Sequence, residues 1–542
     1  MNFRVIILLA TIILIGFLLR FYKLGEIPTG LYLDEAGQGY SAYSILKTGK
    51  DEFGKAFPVI FRSFNDFKTP VYIYLIVPLI PVFGLTALTV RFPSFFFSVL
   101  TFPLLFLLIR EISPKKIAAK LGLLSAFLLA ISPWHILFGR TNFECNVALF
   151  FTLLGVYLFY LGLRRPLSLI ASAVVLAIAF PAYHSQRVLV PALVLLLFLR
   201  HRLILLKKSH FKFTIFSLIT GFVLSLPTLL MFLTPGFLAR VSALSIFSSG
   251  HTPWGAQSNI LLNPYLRLRE FASLYLSYFS PRQMFLLGDS GPRSSFPYLS
   301  TFFIWQLPFY IYGLYAFIKD KTLGELRFFT LSLLFLSPLP AALTLDPYST
   351  IRSLPMVVPL IIIISYAIIR LSSKIKPIHL LLVSIILLVY SFFKLYTSIF
   401  ILNEYQRARY WDYGWEQVAE TIKTLDINLP IIVDNARNEP YIHLLFFLKH
   451  DPVEYQRGNF EIPLSEYYTN MTRNKEKHIG RIITREINWK PDLQTEQYFI
   501  GDNIALSPGQ IVEHNLTLIK EIKYPDDSTA FYIVKTNPRI DL

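Results

Sequence analysis

Two acids, Asp34 and Glu35, stand side by side in "GLYLDEAGQGYSAYSILKTGK", just after the first apolar run of the chain. More polar groups interrupt later gaps between apolar runs. Lys68 precedes a proline-rich piece, Arg140 and Glu144 lie in "SPWHILFGRTNFECN", and Tyr183, His184 and Arg187 lie in "FPAYHSQRVLVP". Arg240, Arg282, Asp289 and Arg293 share one long gap, and Asp346 and Arg352 lie in "LTLDPYSTIRSLP". Arginine offers phosphate oxygens a two-pronged fork, and lysine offers a point charge. Lys68, Arg140, Arg187 and Arg352 are therefore expected on a phosphate ester. Carboxylates supply what phosphate binding does not need, a general base or a metal ligand. Asp34 is the candidate base and Glu144 its helper. The same two could hold a divalent metal, although no ligand spacing demands one. Glu35, Tyr183, His184, Asp289 and Arg293 are candidate substrate contacts.

Plainer readings stand beside these. Asp34 is equally a helix N-cap, with Ala36, Tyr40, Tyr43 and Ile45 or Leu46 on the apolar face that follows. Glu35 in a first turn suits the helix dipole. His135 and His184 read as hydrogen-bonded structural histidines, and Lys68 as a loop charge. Arg187 and Arg352 can snorkel to an interface, where the tyrosines form a belt.

The elements that position these groups are apolar. Of 542 residues, 54% are hydrophobic, and Phe and Leu come in long uncharged runs. That is the composition of a polytopic α-helical membrane protein. The formal charge of +17 is not a nucleic-acid signature, because Lys and Arg cluster between apolar runs, as topology and anionic lipid require. One cysteine, Cys145, excludes an intrachain disulfide and reads as a buried apolar residue. The first run lacks a small-residue cleavage site and reads as a retained anchor.

About eleven crossings are expected, starting near Phe3, Thr86, Leu121, Val147, Leu167, Val188, Phe213, Ser300, Phe328, Leu354 and His379. Gaps holding Lys115, Lys116 and Lys120, Arg164 and Arg165, Arg200 to Lys208, Lys319 and Lys321, and Lys374 and Lys376 alternate with the others and read as cytoplasmic. "TPVYIYLIVPLIPVFG" is short and carries three prolines, so it reads as a re-entrant or juxtamembrane segment. The N-terminus is then cytoplasmic in a multi-pass plasma-membrane protein, and every candidate site residue falls on the outer side. Ionisable groups at membrane depth are costly and usually functional.

Residues 1–402 are expected to form the membrane catalytic domain, with a first outer loop at 22–85 and a long one at 234–299. Residues 403–542 read as a small extracytoplasmic α/β domain. "WDYGWEQVAETIKTL" is an amphipathic helix with Trp415, Val418, Ile422 and Leu425 on one face. "LPIIVDN" and "AFYIVKT" are strands, and "SPGQ" and "YPDDS" are turns. Sequons at Asn470 and Asn515 carry little weight.

"LDEAGQGYSAYSILKTGKDEFG", "KTPVYIYLIVPLIPVFGLTALTVRFPS", "LLAISPWHILFGRTNFECNVALFF", "AYHSQRVLVP", "LGDSGPRSSFP" and "DPYSTIRSLP" resemble the bacterial and archaeal branch of the protein O-mannosyltransferase and aminoarabinose transferase superfamily. The resemblance implies a GT-C fold and transfer of a sugar from a polyprenyl phosphate on the extracytoplasmic side, usually with inversion. It places Asp34 on the family's key acid of the first outer loop, Glu144 on the acid after the third crossing, and Lys68 on the lysine of the lipid-phosphate region. The chain has "KTP" where many members have two prolines. Its C-terminal region is not the β-trefoil of the eukaryotic enzymes.

The chemistry agrees. A lipid phosphate needs charge stabilisation as it leaves, and an acceptor hydroxyl needs a base. The partners implied are a polyprenyl-phosphate sugar donor, membrane lipid, and a protein, lipid or glycan acceptor. The alternatives are a transporter or flippase of polyprenyl-linked glycans and a non-catalytic binder. A flippase needs charges in both halves of its helices, whereas here they gather on one side.

Overall fold

The structure, a computed structural model, describes residues 2–64, 66–237, 246, 262–436, 439–458, 463–469 and 476–538. Arg240 and the Asn470 sequon lie outside them. The chain divides into two compact units. The first holds Met1–Tyr22, Thr69–Tyr72 and Phe92–Ser398, and the second Lys23–Lys68, Ile73–Arg91 and Ile399–Leu542.

In chain order, α1 (Phe3–Phe21) is followed by α2 (Leu33–Thr48), the hairpin β1 (Phe61–Ser63) and β2 (Asp66–Lys68), and α3 (Pro70–Ile76) and α4 (Ile80–Phe83). Next come α5 (Ala87–Ile112), α6 (Lys115–Ala130), α7 (Pro133–Phe138), α8 (Glu144–Gly162), α9 (Ser168–Ala182), α10 (Gln186–Leu205) and α11 (Lys208–Met231). Then follow α12 (Leu262–Ser277), α13 (Leu307–Lys319), α14 (Gly324–Leu336), α15 (Val357–Ser372) and α16 (Pro377–Tyr396).

Each of the eleven expected crossings falls on a helix. Among the described residues, eight helices are long and apolar enough to cross a membrane. The other three, α6, α9 and α13, have 16, 15 and 13 residues. The proline-rich piece is two short helices joined by a 3₁₀ turn at Val77–Leu79, with Pro78 and Pro81 in first turns, where a missing N–H costs nothing.

The first unit is held by close helix crossings. A Cβ on Gly155 of α8 would lie 2.5 Å from Leu176 of α9, and Ser172 Oγ donates to the Gly155 carbonyl at 2.7 Å. Small residues let helices approach where no hydrophobic effect drives them together. Helices α11 and α16 bury few of their residues, as helices facing lipid do.

The second unit carries a six-stranded sheet of order β4-β5-β3-β6-β8-β7: β3 (Ile431–Val433), β4 (Lys477–Ile479), β5 (Ile482–Thr484), β6 (Tyr498–Gly501), β7 (Thr517–Lys523) and β8 (Thr529–Lys535). The centre, β5-β3-β6, is parallel, and the outer pairs are antiparallel. Ile432, Phe499, Leu506, Leu516, Tyr532 and Val534 form one core cluster. The amphipathic helix is α17 (Trp415–Ile422), burying Trp415, Val418 and Ile422, with Leu425 beyond its end. Both expected strands occur, as β3 and β8, and "YPDDS" turns β7 into β8. "SPGQ" is not a turn but the start of α18 (Pro508–Glu513). Ser507 and Gln510 form a capping box around Pro508, which suits a first helical position.

Candidate active site

Helix α2 opens with Tyr32 as N-cap and Leu33, Asp34 and Glu35 in its first turn. Tyrosine is not among the short side chains that cap well, and the exposed N–H groups find other acceptors. The Tyr32 N–H donates to Glu35 Oε2 at 3.3 Å, and the Leu33 N–H donates to Asp412 Oδ2 at 2.8 Å. Asp34 is therefore not the cap.

Glu35 is buried and paired. Arg91 forks onto it, Nε to Oε1 at 3.0 Å and Nη2 to Oε2 at 2.8 Å, and both side chains are buried. The other Arg91 donors reach the carbonyls of Leu24, Pro28 and Gly30. A buried, bonded pair of this kind fixes a backbone.

Asp34 differs from its neighbour. Its Oδ2 lies 2.8 Å from Lys68 Nζ, and its side chain is 25% exposed against 9% for the lysine. Lys68 ends β2 and is held in register opposite Phe61 of β1. An accessible carboxylate beside a nearly buried ammonium can accept a proton on one atom and receive an anion on the other.

In the first unit, Arg140 is 0% exposed, and its Nη1 donates to the carbonyls of Leu19 and Arg20 at 3.0 Å each. It closes the C-terminal end of α1, a favourable place for a cation. Beneath it, Arg20 donates to Ser98 Oγ at 2.6 Å and the Ala130 carbonyl at 2.8 Å, and its Nη2 lies 2.9 Å from His135 Nδ1.

Glu144 is the first residue of α8 and is buried, so its charge faces the positive end of the helix. Arg187, in the first turn of α10, lies over the Phe237 ring at 3.8 Å, and the rings of Tyr183 and His184 meet edge to face. Arg352 pairs with Asp346 and donates to Thr344 Oγ1 at 3.1 Å. Asp289 accepts from the Gly291 N–H and from both the N–H and the hydroxyl of Thr350, each at 2.8 Å. Burial raises its pKa above the ordinary carboxylate value while these hydrogen bonds oppose the shift. Trp134 Nε1 donates to the Thr350 carbonyl at 3.0 Å. Three stretches far apart in sequence thus meet at Thr350. Asp289 joins these loops through its carboxylate oxygens, and half-buried Arg293 shares its loop.

Sequence reasoning missed Arg91, Arg20, Thr350 and Asp412. Arg91 and Arg20 had a signal, being charges embedded in apolar helices. Thr350 and Asp412 had none, because their partners lie far away in the chain.

Residues 67–230 match the family described as dolichyl-phosphate-mannose-protein mannosyltransferase. The match takes in Lys68, Arg140, Glu144, Tyr183, His184 and Arg187. The structure is similar to that of ArnT from Cupriavidus metallidurans bound to undecaprenyl phosphate, with TM-score 0.56 and 11% identity over 99% of both chains. This is the GT-C fold. The archaeal oligosaccharyltransferase AglB from Archaeoglobus fulgidus, in complex with an inhibitory peptide and a dolichol-phosphate, has the same fold. Its TM-score is 0.51 and its identity 11%, over 100% of this chain and 75% of that one. No curated protein matches the chain in sequence. With its apolar helices, this GT-C chain is a multi-pass membrane protein. Among its described residues no group of three or more His, Cys, Asp or Glu is placed to hold a metal ion.

Proposed function

We propose that this GT-C protein is a membrane glycosyltransferase that moves a sugar from a polyprenyl-phosphate donor to an acceptor hydroxyl on the extracytoplasmic side, with inversion. The observation that carries the reading is the Asp34–Lys68 pair, one carboxylate left accessible while its neighbour Glu35 is locked away. The donor class is supported by the undecaprenyl phosphate and dolichol-phosphate held by the two similar structures.

Lys68 meets the donor phosphate, and the incoming anion draws it from Asp34. The freed carboxylate accepts the proton of the acceptor hydroxyl. The new C–O bond forms at the anomeric carbon on the face opposite the phosphate. The old sugar–phosphate bond breaks, and its electron pair leaves with the phosphate, stabilised by the ammonium. Glu144 is proposed as a helper, and Arg187 and Arg352 as further phosphate ligands, on the chemistry of their side chains. Residues 1–402 would be the catalytic membrane domain and 403–542 an extracytoplasmic domain, with the N-terminus cytoplasmic. The transferred group is a hexose or pentose, and the acceptor a protein, lipid or glycan.

The test uses purified protein with a panel of polyprenyl-phosphate sugars, following donor consumption. Asp34→Asn is expected to lower turnover by about 10²-fold or more while donor binding persists. Undiminished turnover in that variant would remove Asp34 as the base. Consumption of no donor, with lipid binding intact, would favour a non-catalytic binder.

A further inference from the structure

We infer that Asp412 is a positioning residue for Asp34: it caps helix α2 from the far end of the sequence and so leaves the Asp34 carboxylate free for chemistry. The inference rests on the reading of Asp34 as the base.

Three observations carry it. First, the cap that α2 supplies itself is the Glu35 carboxylate, which takes the Tyr32 N–H, while the Leu33 N–H goes to an acceptor outside the helix. The first turn of a helix has N–H groups without helical partners, and a carboxylate is the strongest acceptor for them. Asp34 sits in that turn and is the kind of residue that would otherwise fold back onto it. The Asp412 carboxylate takes the Leu33 N–H at 2.8 Å instead, at the residue just before Asp34.

Second, Asp412 holds a costly backbone conformation. Its φ is +52° and its ψ +43°, the left-handed region, which non-glycine side chains seldom adopt and which Asp and Asn tolerate best. A strained residue persists where its surroundings over-determine it. Those surroundings are present. His443 Nε2 lies 3.4 Å from the same Asp412 Oδ2, and its ring stacks parallel to that of Trp415. Trp411 is buried, and its carbonyl packs so closely on Gly30 that a Cβ there would lie 2.2 Å away.

Third, the same C-terminal stretch also holds the other end of α2. Gln456 Nε2 donates to Ser44 Oγ at 2.9 Å and to the Asp51 carbonyl at 2.8 Å, and the Tyr40 hydroxyl donates to the His450 carbonyl at 3.2 Å. The helix that carries Asp34 is thus gripped along its length by residues of the C-terminal region, and Asp412 is the contact nearest the base.

Three substitutions separate the roles of Asp412. Asp412→Asn keeps an oxygen acceptor and tolerates a positive φ. Asp412→Gly keeps the backbone and removes the acceptor. Asp412→Ala removes the acceptor and adds strain. In the full-length protein with a donor that it consumes, Asp412→Asn is expected to stay within about threefold of the parent kcat. Asp412→Gly is expected to lose about tenfold or more in kcat with little change in donor KM and a melting temperature close to that of Asp412→Asn. A purely structural role would instead track melting temperature and would leave kcat of the folded glycine variant intact. Parental kcat in Asp412→Gly, or equal losses in Asp412→Gly and Asp412→Asn, would overturn the inference. If Asp412→Gly does not fold, the comparison passes to Asp412→Asn and Asp412→Ala, where equal kcat values overturn it. Asp34→Asn is assayed alongside: if it too is fully active, the reading of Asp34 has failed, whereas an inactive Asp34→Asn beside a fully active Asp412→Gly sinks only the role of Asp412.

Discussion

Residues near the proposed base carry charges for different ends. Asp34 and Glu35 are adjacent and chemically alike, yet one is open beside a lysine and the other is locked on Arg91. A second acidic pair, Asp51 and Glu52, is buried further along the same loop. Asp51 accepts from the Tyr467 hydroxyl at 2.5 Å and from the N–H groups of Phe53 and Lys55. Burial nevertheless pushes it up to about 6. Glu52 is 5% exposed, and its Oε2 has no hydrogen-bond partner among the described residues. Burial, then repulsion from Asp51, pushes it up to about 8, with Lys477 opposing. An acid whose pKa rises on folding holds its proton in the native state after the unfolded chain has lost it. Stability from Glu52 is then full below the ordinary carboxylate pKa and falls as pH rises towards about 8. Glu52→Gln removes that dependence. Its melting temperature relative to the parent is expected to rise from pH 5 to pH 8, by an amount worth on the order of a few kcal/mol at most. An unchanged difference between the two pH values would show that Glu52 does not carry the shifted proton.

Elements here are placed by side-chain volume as much as by hydropathy. Helices α13 and α15 meet at Gly313, where a Cβ would lie 2.6 Å from the Ile363 carbonyl oxygen. Backbone cannot swing aside as a side chain can. By helix propensity alone Gly→Ala would stabilise by roughly 1 kcal/mol. At this crossing Gly313→Ala is expected to destabilise by about 1–3 kcal/mol, because it forces the helices apart. A melting temperature at or above that of the parent would show that the crossing can relax. Hydropathy located every expected helix, because apolar runs are local. It did not disclose which glycine is a crossing point, since that depends on a partner about fifty residues away. The "SPGQ" start of α18 was legible in principle. Ser507, Pro508 and Gln510 spell a capping box, and only the preference of Pro and Gly for turns hid it.

At the scale of the whole molecule, the compact units do not follow the order of the chain. The second unit begins at Ile399, near the expected boundary at 402/403, yet it also takes in Lys23–Lys68 and Ile73–Arg91. The segment Lys23–Lys68, with Asp34 and Lys68, therefore belongs to the same unit as the C-terminal sheet. Orientation in the membrane makes a further prediction. Ser209 lies in a basic gap expected inside, and Glu513 lies in the region expected outside; both are exposed. In a Cys145→Ala background, a membrane-impermeant thiol reagent on intact cells is expected to label Glu513→Cys and not Ser209→Cys. Labelling of both, or of Ser209→Cys alone, would overturn the expected topology.

The sequence by itself determined the class of the protein, the placing of its helices and the candidacy of Asp34 and Lys68. Apolar runs, basic gaps and charges out of place are properties of a few neighbouring residues. Only the tertiary structure decided which of two adjacent acids stays accessible, that Arg140 bonds the carbonyls at the end of α1, and that Asp412 caps a helix 379 residues before it. Those outcomes depend on which buried donors and acceptors find one another once the chain is folded, and spacing along the chain does not encode that choice.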